Sequence, residues 1–161
     1  MPDAEKNKAK SLANSAFSLV EMAVVIILIG LFFGMFHPVY IHYVNEKKSV
    51  DVVEKIEELG DLIDDFYDKN GHYPDSLEEV ISPPPLDPWG NPYEYLRIDG
   101  GSIKDKGKLR KDKNLVPINS DFDLYSKGPD GQSVSPLTAA PSKDDIVRGR
   151  NGDFIGLATE Y

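Results

Sequence analysis

The feature that most constrains this chain is an uninterrupted apolar run, Met22 to Phe36, in which no side chain is polar. With Phe17 to Val20 ahead of it, the segment reaches the roughly 20 residues that cross a bilayer. Over the wider stretch 17–44, 21 of 28 residues are hydrophobic and Glu21 is the only formal charge. This is a membrane-insertion signal, and it dissolves the ordinary-looking average of 40% hydrophobic residues over the 161-residue chain. The stretch before it carries Lys6, Lys8 and Lys10 against Asp3 and Glu5, which suits a cytoplasmic flank. His37-Pro38-Val39-Tyr40 follows the apolar run where a secretory signal peptide would place small residues, so removal after the run is not expected. The small residues Ala13, Asn14, Ser15 and Ala16 lie before it instead.

Beyond Val44 the pattern changes. Val50, Val53, Ile56, Leu59, Leu62, Ile63 and Phe66 recur every three or four positions among Glu, Lys and Asp, which predicts an amphipathic helix over 45–70. Asn70-Gly71, with Pro74 after it, supplies the stop. No Gly-rich or Ser-rich linker separates the two helical segments, so they are expected to form one helix of roughly 54 residues, kinked or locally unwound at Pro38. Leu86-Asp87-Pro88-Trp89-Gly90-Asn91-Pro92 is turn chemistry. Tyr93 to Ile98, Phe122 to Ser126 and Phe154 to Ala158 are strand candidates. The basic segment Lys104 to Lys113 reads as a solvated hairpin or loop, and a loop rich in Pro, Gly, Ser and Ala runs from Gly128 to Ser142.

The absence of cysteine excludes a disulfide framework and a Cys-based zinc site. A net charge of -9, from 27 acidic and 18 basic residues, argues against nucleic acid as a partner. No nucleophile elbow, phosphate-binding loop or His-Glu-x-x-His motif is present, so the chain is not expected to be an enzyme. Two features remain. Glu21 places a carboxylate in an apolar segment, where it is costly unless partnered. It either reaches the interface from near the helix start or meets a positive group, on another molecule or on an N-terminus freed before Phe17. The second feature is Asp130, within Gly128-Pro129-Asp130-Gly131, together with Asp144 and Asp145 at the far end of the same loop. Oxygen ligands from two ends of a loop suit a hard cation such as calcium, and solvated surface acids would look the same.

Phe17-Ser18-Leu19-Val20-Glu21-Met22, with the apolar run after it, Gly30 inside it and Pro38 beyond, resembles the N-terminus of type IV pilins and pseudopilins. Asn70-Gly71-His72-Tyr73-Pro74, Asp87-Pro88-Trp89-Gly90-Asn91-Pro92-Tyr93, Gly128-Pro129-Asp130-Gly131 and Asp144-Asp145-Ile146 are similar to the major pseudopilins of type II secretion systems. The resemblance implies an α+β, pilin-like fold, with a long N-terminal helix packed on a small antiparallel sheet with a C-terminal loop. It implies a cytoplasmic leader over 1–16, a transmembrane and filament-core helix over 17–44 and a periplasmic head over 45–161.

It further implies cleavage by prepilin peptidase between Ala16 and Phe17, N-methylation of Phe17 and an assembly role for Glu21, although Ala16 stands where the family usually has Gly. Calcium would be held by the side chains of Asp130, Asp144 and Asp145 with the Lys127 carbonyl. The loop from Gly131 to Asp144 is longer than usual in that family. The function implied is a structural subunit that polymerises into a helical, periplasmic pseudopilus driving protein export. Its partners would be lipid of the inner membrane before assembly, then copies of itself, minor pseudopilins and the inner-membrane assembly platform. A surface-fibre pilin and a single-pass anchored binding protein are the alternatives.

Overall fold

The computed structural model describes residues 18–99 and 107–161. The leader 1–16, the junction of Ala16 and Phe17, and the first residues of the basic segment, 104–106, lie outside the described residues. The chain forms two compact units, residues 1–42 and 43–161.

One helix, α1, spans Leu19–Asn70, 52 residues, and is helical through Pro38. Its start is set by a reciprocal pair of side-chain bonds. The Glu21 N–H donates to Ser18 Oγ at 3.1 Å, and Glu21 Oε2 accepts the Ser18 N–H at 3.3 Å. Ser-x-x-Glu is the capping box, in which each side chain satisfies an amide that the first helical turn leaves without a carbonyl. The helix ends where Gly71 takes φ +74°, a conformation costly for residues with a Cβ, and donates its N–H to Tyr67 O at 2.7 Å.

In the first unit, residues 19–42 are all exposed. In the second, α1 buries Val52, Ile56, Leu59, Gly60 and Ile63. The buried face starts from Val52 and not from Val50, which is 57% exposed. Val50 precedes Ile56 by six positions, about 240° around a helix of 3.6 residues per turn, and so falls on the far side. Val52 lies one full turn before Ile56, on the face that meets the sheet.

The sheet is a four-stranded antiparallel meander: β1 Glu94–Arg97, β2 Phe122–Ser126, β3 Ile146–Gly149 and β4 Phe154–Leu157. Its register pairs Tyr95 with Leu124, Tyr125 with Val147, and Arg148 with Ile155. Alternation along the strands sends side chains to opposite faces. Phe122, Leu124 and Ile146 join the four aliphatic residues of α1, Leu77 and Tyr93 in the main core. Val147 goes to a smaller cluster with Ile118, Leu137 and Ala158, against which Tyr125, Phe154 and Tyr161 pack. Burying each such aliphatic or aromatic side chain contributes about 1.5–3 kcal/mol. The chain therefore has the helix-plus-sheet, α+β layout of a pilin.

Three of the strands occur where the alternation predicts them, although Ala158 leaves β4 and opens a short 3-10 turn, Ala158–Glu160. β3 is an addition. Its sequence, Ile-Val-Arg-Gly, is too short and too charged to announce a buried strand, yet all four residues are buried. Arg148 is accommodated because Asp121 receives its guanidinium at 2.7 and 3.0 Å and the Phe122 ring lies 3.9 Å from its central carbon.

Candidate functional site

The head carries a set of interlocked turns. Asp87 is buried and acts as the hub of the Pro-Trp-Gly-Asn turn. Its Oδ1 accepts the N–H groups of Trp89 at 3.0 Å and Asn91 at 2.8 Å, and its Oδ2 accepts the Ser126 hydroxyl at 2.6 Å. The turn is tied to the helix through Trp89 Nε1, which donates to Asn45 Oδ1 at 3.1 Å. It is tied to the next turn through Asn91 Nδ2, which donates to Gly128 O at 3.0 Å. The order Asp-Pro-Trp-Gly-Asn thus sets where the Gly128–Gly131 turn sits.

At Gly128, φ is +62°, and a Cβ built there would lie 2.2 Å from Asp144 O. The two ends of the long loop touch at this glycine, and only the missing side chain permits it. Asp130 N–H donates to Asp144 Oδ2 at 3.2 Å, while Asp130 Oδ1 accepts the Gln132 N–H at 2.7 Å. Lys127 pairs with Glu94 at 2.8 Å, and that hydrogen bond lifts the lysine pKa above its ordinary value.

Asp145 is placed differently. It is 0% exposed, and its Oδ2 accepts from Arg110 at 2.5 Å and from the Ser133 hydroxyl at 2.6 Å. Burial pushes the Asp145 carboxyl up from its ordinary value, opposed by the Ser133 hydrogen bond and by the Arg110 charge. Arg110 is itself 2% exposed. Its second terminal nitrogen reaches Ser133 Oγ at 2.5 Å and Val134 O at 2.8 Å, and its backbone N–H donates to Asp123 Oδ2 at 3.0 Å. Its guanidinium carbon lies 4.3 Å from the centre of the Tyr125 ring. Burial likewise pushes the Asp123 carboxyl up, opposed by the bonds from the Arg110 amide and Asn119.

Of the residues expected to gather at a cation, Asp130 and Asp144 come together at the Gly128 corner and Asp145 points into the core. Among the described residues no group of three or more His, Cys, Asp or Glu side chains is arranged to hold a metal. The side chains as placed do not form the calcium cage that the resemblance implies, because the third carboxylate is committed to a guanidinium. The basic segment is likewise more than a solvated loop. Leu109 and Arg110 are buried, and the 107–113 portion bridges to Pro136 through Lys111.

Arg110 and the Ser18 cap are the side chains of these sites that sequence reading misses, the first in a buried ion pair and the second in a helix cap. Ser18-x-x-Glu21 carries its own signal, since the spacing is that of a capping box. For Arg110 the signal is fainter. It is the only arginine among the six basic residues of 104–113, and arginine is the cation suited to buried, multiply bonded pairs.

No family model matches the chain, and no solved structure matches it. Three curated relatives do. The chain is 27% identical to type II secretion system core protein G of Pseudomonas aeruginosa over 139 residues, 73% of this chain and 85% of the relative. It is 28% identical to the Escherichia coli protein of the same name, over 72% of this chain and 82% of the relative. Against that of Vibrio cholerae it is 25% identical, over 81% of this chain and 91% of the relative. Together with the Phe17 to Met22 motif and the helix-and-sheet layout, these relatives make the chain similar, over roughly three quarters of its length, to the core protein G of type II secretion systems.

Proposed function

We propose that the chain is a structural subunit which waits in the inner membrane with its head in the periplasm, is cleaved before Phe17, and polymerises into a pseudopilus that drives type II protein secretion. The observation that carries this reading is the stretch 19–42, helical throughout and exposed throughout, apolar apart from Glu21 and the two histidines. A helix of this kind is stable in lipid. It leaves lipid only where other apolar helices take the place of the acyl chains, and copies related by a screw operation supply them. That contact is heterologous and does not close, so it propagates as a filament. Gly30 and Gly34 have no atom within 4 Å of where a Cβ would stand, leaving room for a neighbouring helix to approach closely. Pro38, which removes one backbone donor, is the point at which the helix would bend during extraction.

Glu21 has two tasks in this scheme. In the single chain its carboxylate closes the first turn on Ser18. After cleavage the new amine at Phe17 lies one residue from that cap, and the carboxylate would exchange the Ser18 amide for a full positive charge on its own or a neighbouring copy. The role is structural, and chemistry would reside in the peptidase, the minor pseudopilins and the membrane assembly platform.

Electron microscopy of the full chain overproduced in its own host is expected to show filaments built of subunits beginning at N-methyl Phe17. Glu21→Ala should abolish the filaments while the protein stays in the membrane fraction. Monomeric anchored protein from the unaltered chain, or normal filaments from the variant, would refute the proposal.

A further inference from the structure

A calcium ion in the loop 127–145 would have to do two things: neutralise buried carboxylate charge and hold the two ends of the loop together through six to eight oxygen ligands. In this chain both tasks already have an occupant. The Arg110 guanidinium lies 2.5 Å from Asp145 Oδ2 and bonds Ser133 and Val134, so one buried cation joins three points of the loop. The Tyr125 ring covers it at 4.3 Å, and the Arg110 amide is fixed to Asp123 on β2. Ser142 adds a second staple across the loop, its Oγ accepting the Val134 N–H at 2.9 Å and donating to Val134 O at 2.8 Å. The loop ends meet directly at Gly128, with Asp144 Oδ2 taking the Asp130 N–H.

We propose that Arg110 is the resident cation of this loop, so that the head closes and stays folded without calcium. A divalent ion bound to Asp145 would stand a few ångströms from a guanidinium that is only 2% exposed, and two like charges in so weakly solvated a site repel strongly. Among the described residues the Asp145 carboxylate takes its hydrogen bonds on Oδ2, from the Arg110 guanidinium and the Ser133 hydroxyl, so the guanidinium is the one positive charge bonded to it; Oδ1 and Arg110 Nε are buried without a partner. Arginine suits this position where lysine would not, because one planar fork serves Asp145, Ser133 and Val134 together.

The test is a thermal melt of the full chain in detergent micelles, followed by fluorescence of Trp89, the only tryptophan, in excess calcium chloride and in excess chelator. The midpoint is expected to be the same in both. A calcium ion bound only by the folded state would raise it by roughly 10 °C at a hundredfold excess over its Kd, and such a rise overturns the proposal. Arg110→Gln should lower the midpoint in chelator and make it rise with calcium, because Asp145 is then a buried carboxylate without its cation. An Arg110→Gln chain as stable in chelator as the unaltered one also overturns it. If that variant does not fold, the result agrees with the proposal, and the two melts of the unaltered chain decide. The location of the loop's cation rests on the pseudopilin reading, but the melt reports folding of the head alone. A calcium-dependent melt would therefore leave the filament reading untouched.

Discussion

Two stretches of one helix carry similar aliphatic side chains and end differently. Between 19 and 42 every residue is exposed, Ile26, Leu28 and Phe33 among them at 65%, 59% and 64%. Between 52 and 63 the same kinds of residue, Val52, Ile56, Leu59 and Ile63, are completely buried. The difference lies in what the chain offers each. The second stretch has one apolar face, with Glu and Lys around the rest, and a sheet whose Phe122, Leu124 and Ile146 complete it. The first is apolar all round, and no single face of a small sheet could cover it. Its burial must come from outside the chain, first from lipid and, in the proposed filament, from other copies.

Truncating the core gives the largest predicted effect and the sharpest form of this contrast. Phe122→Ala should cost the head about 3–5 kcal/mol and Ile56→Ala about 2–5 kcal/mol, whereas Leu28→Ala should leave the head's stability unchanged. Denaturant titration of the full chain in micelles, read by Trp89 fluorescence, measures all three. A comparable loss in Leu28→Ala would break the division between the stretches.

Glycine substitutions repeat the contrast at smaller amplitude. Gly128→Ala puts a Cβ at φ +62° and 2.2 Å from a backbone oxygen, and should cost the head at least about 2 kcal/mol. Gly34→Ala meets nothing within 4 Å and should not move the same melt. Equal effects from the two would show that the close approach at Gly128 does not govern stability.

An effect of similar size, seen only at alkaline pH, is confined to the head. Burial raises the Tyr93 phenol to about 12, and it raises Tyr95 in the same direction. An unfolded tyrosine ionises near 10 and the folded one holds its proton longer. The stabilisation from the protonated phenol is therefore complete below about pH 10 and lost as pH rises toward 12. At about 1.4 kcal/mol per unit this amounts to about 2–3 kcal/mol. Tyr93→Phe should flatten the decline in melting midpoint above pH 10, and an unchanged decline would shift the cause to other groups.

Much of the fold was readable from local pattern. Helix α1 ends at Asn70 with Gly71 in the left-handed conformation, and β2 occupies Phe122–Ser126, because periodicity and turn chemistry are properties of neighbouring residues. β3 was hidden because Arg148 makes its sequence look exposed, and its burial depends on Asp121, 27 positions earlier. Arg110 was hidden in the same way, as one cation in a basic run, since Asp145 lies 35 positions away. Adjacent acids such as Asp144 and Asp145 look equivalent as letters. One meets a glycine corner and the other a guanidinium.

The amino-acid sequence alone determined that this chain has a helix too apolar to be satisfied by its own fold, an amphipathic continuation, an acidic head and the turns that join them. These follow from hydrophobicity and backbone preference, which act over a few residues. The tertiary structure alone decided which charges are buried and by what they are compensated: Arg148 by Asp121, and Asp145 by Arg110. Burying a charge is tolerable only where a partner arrives with the right geometry. That partner is brought by the packing of distant segments.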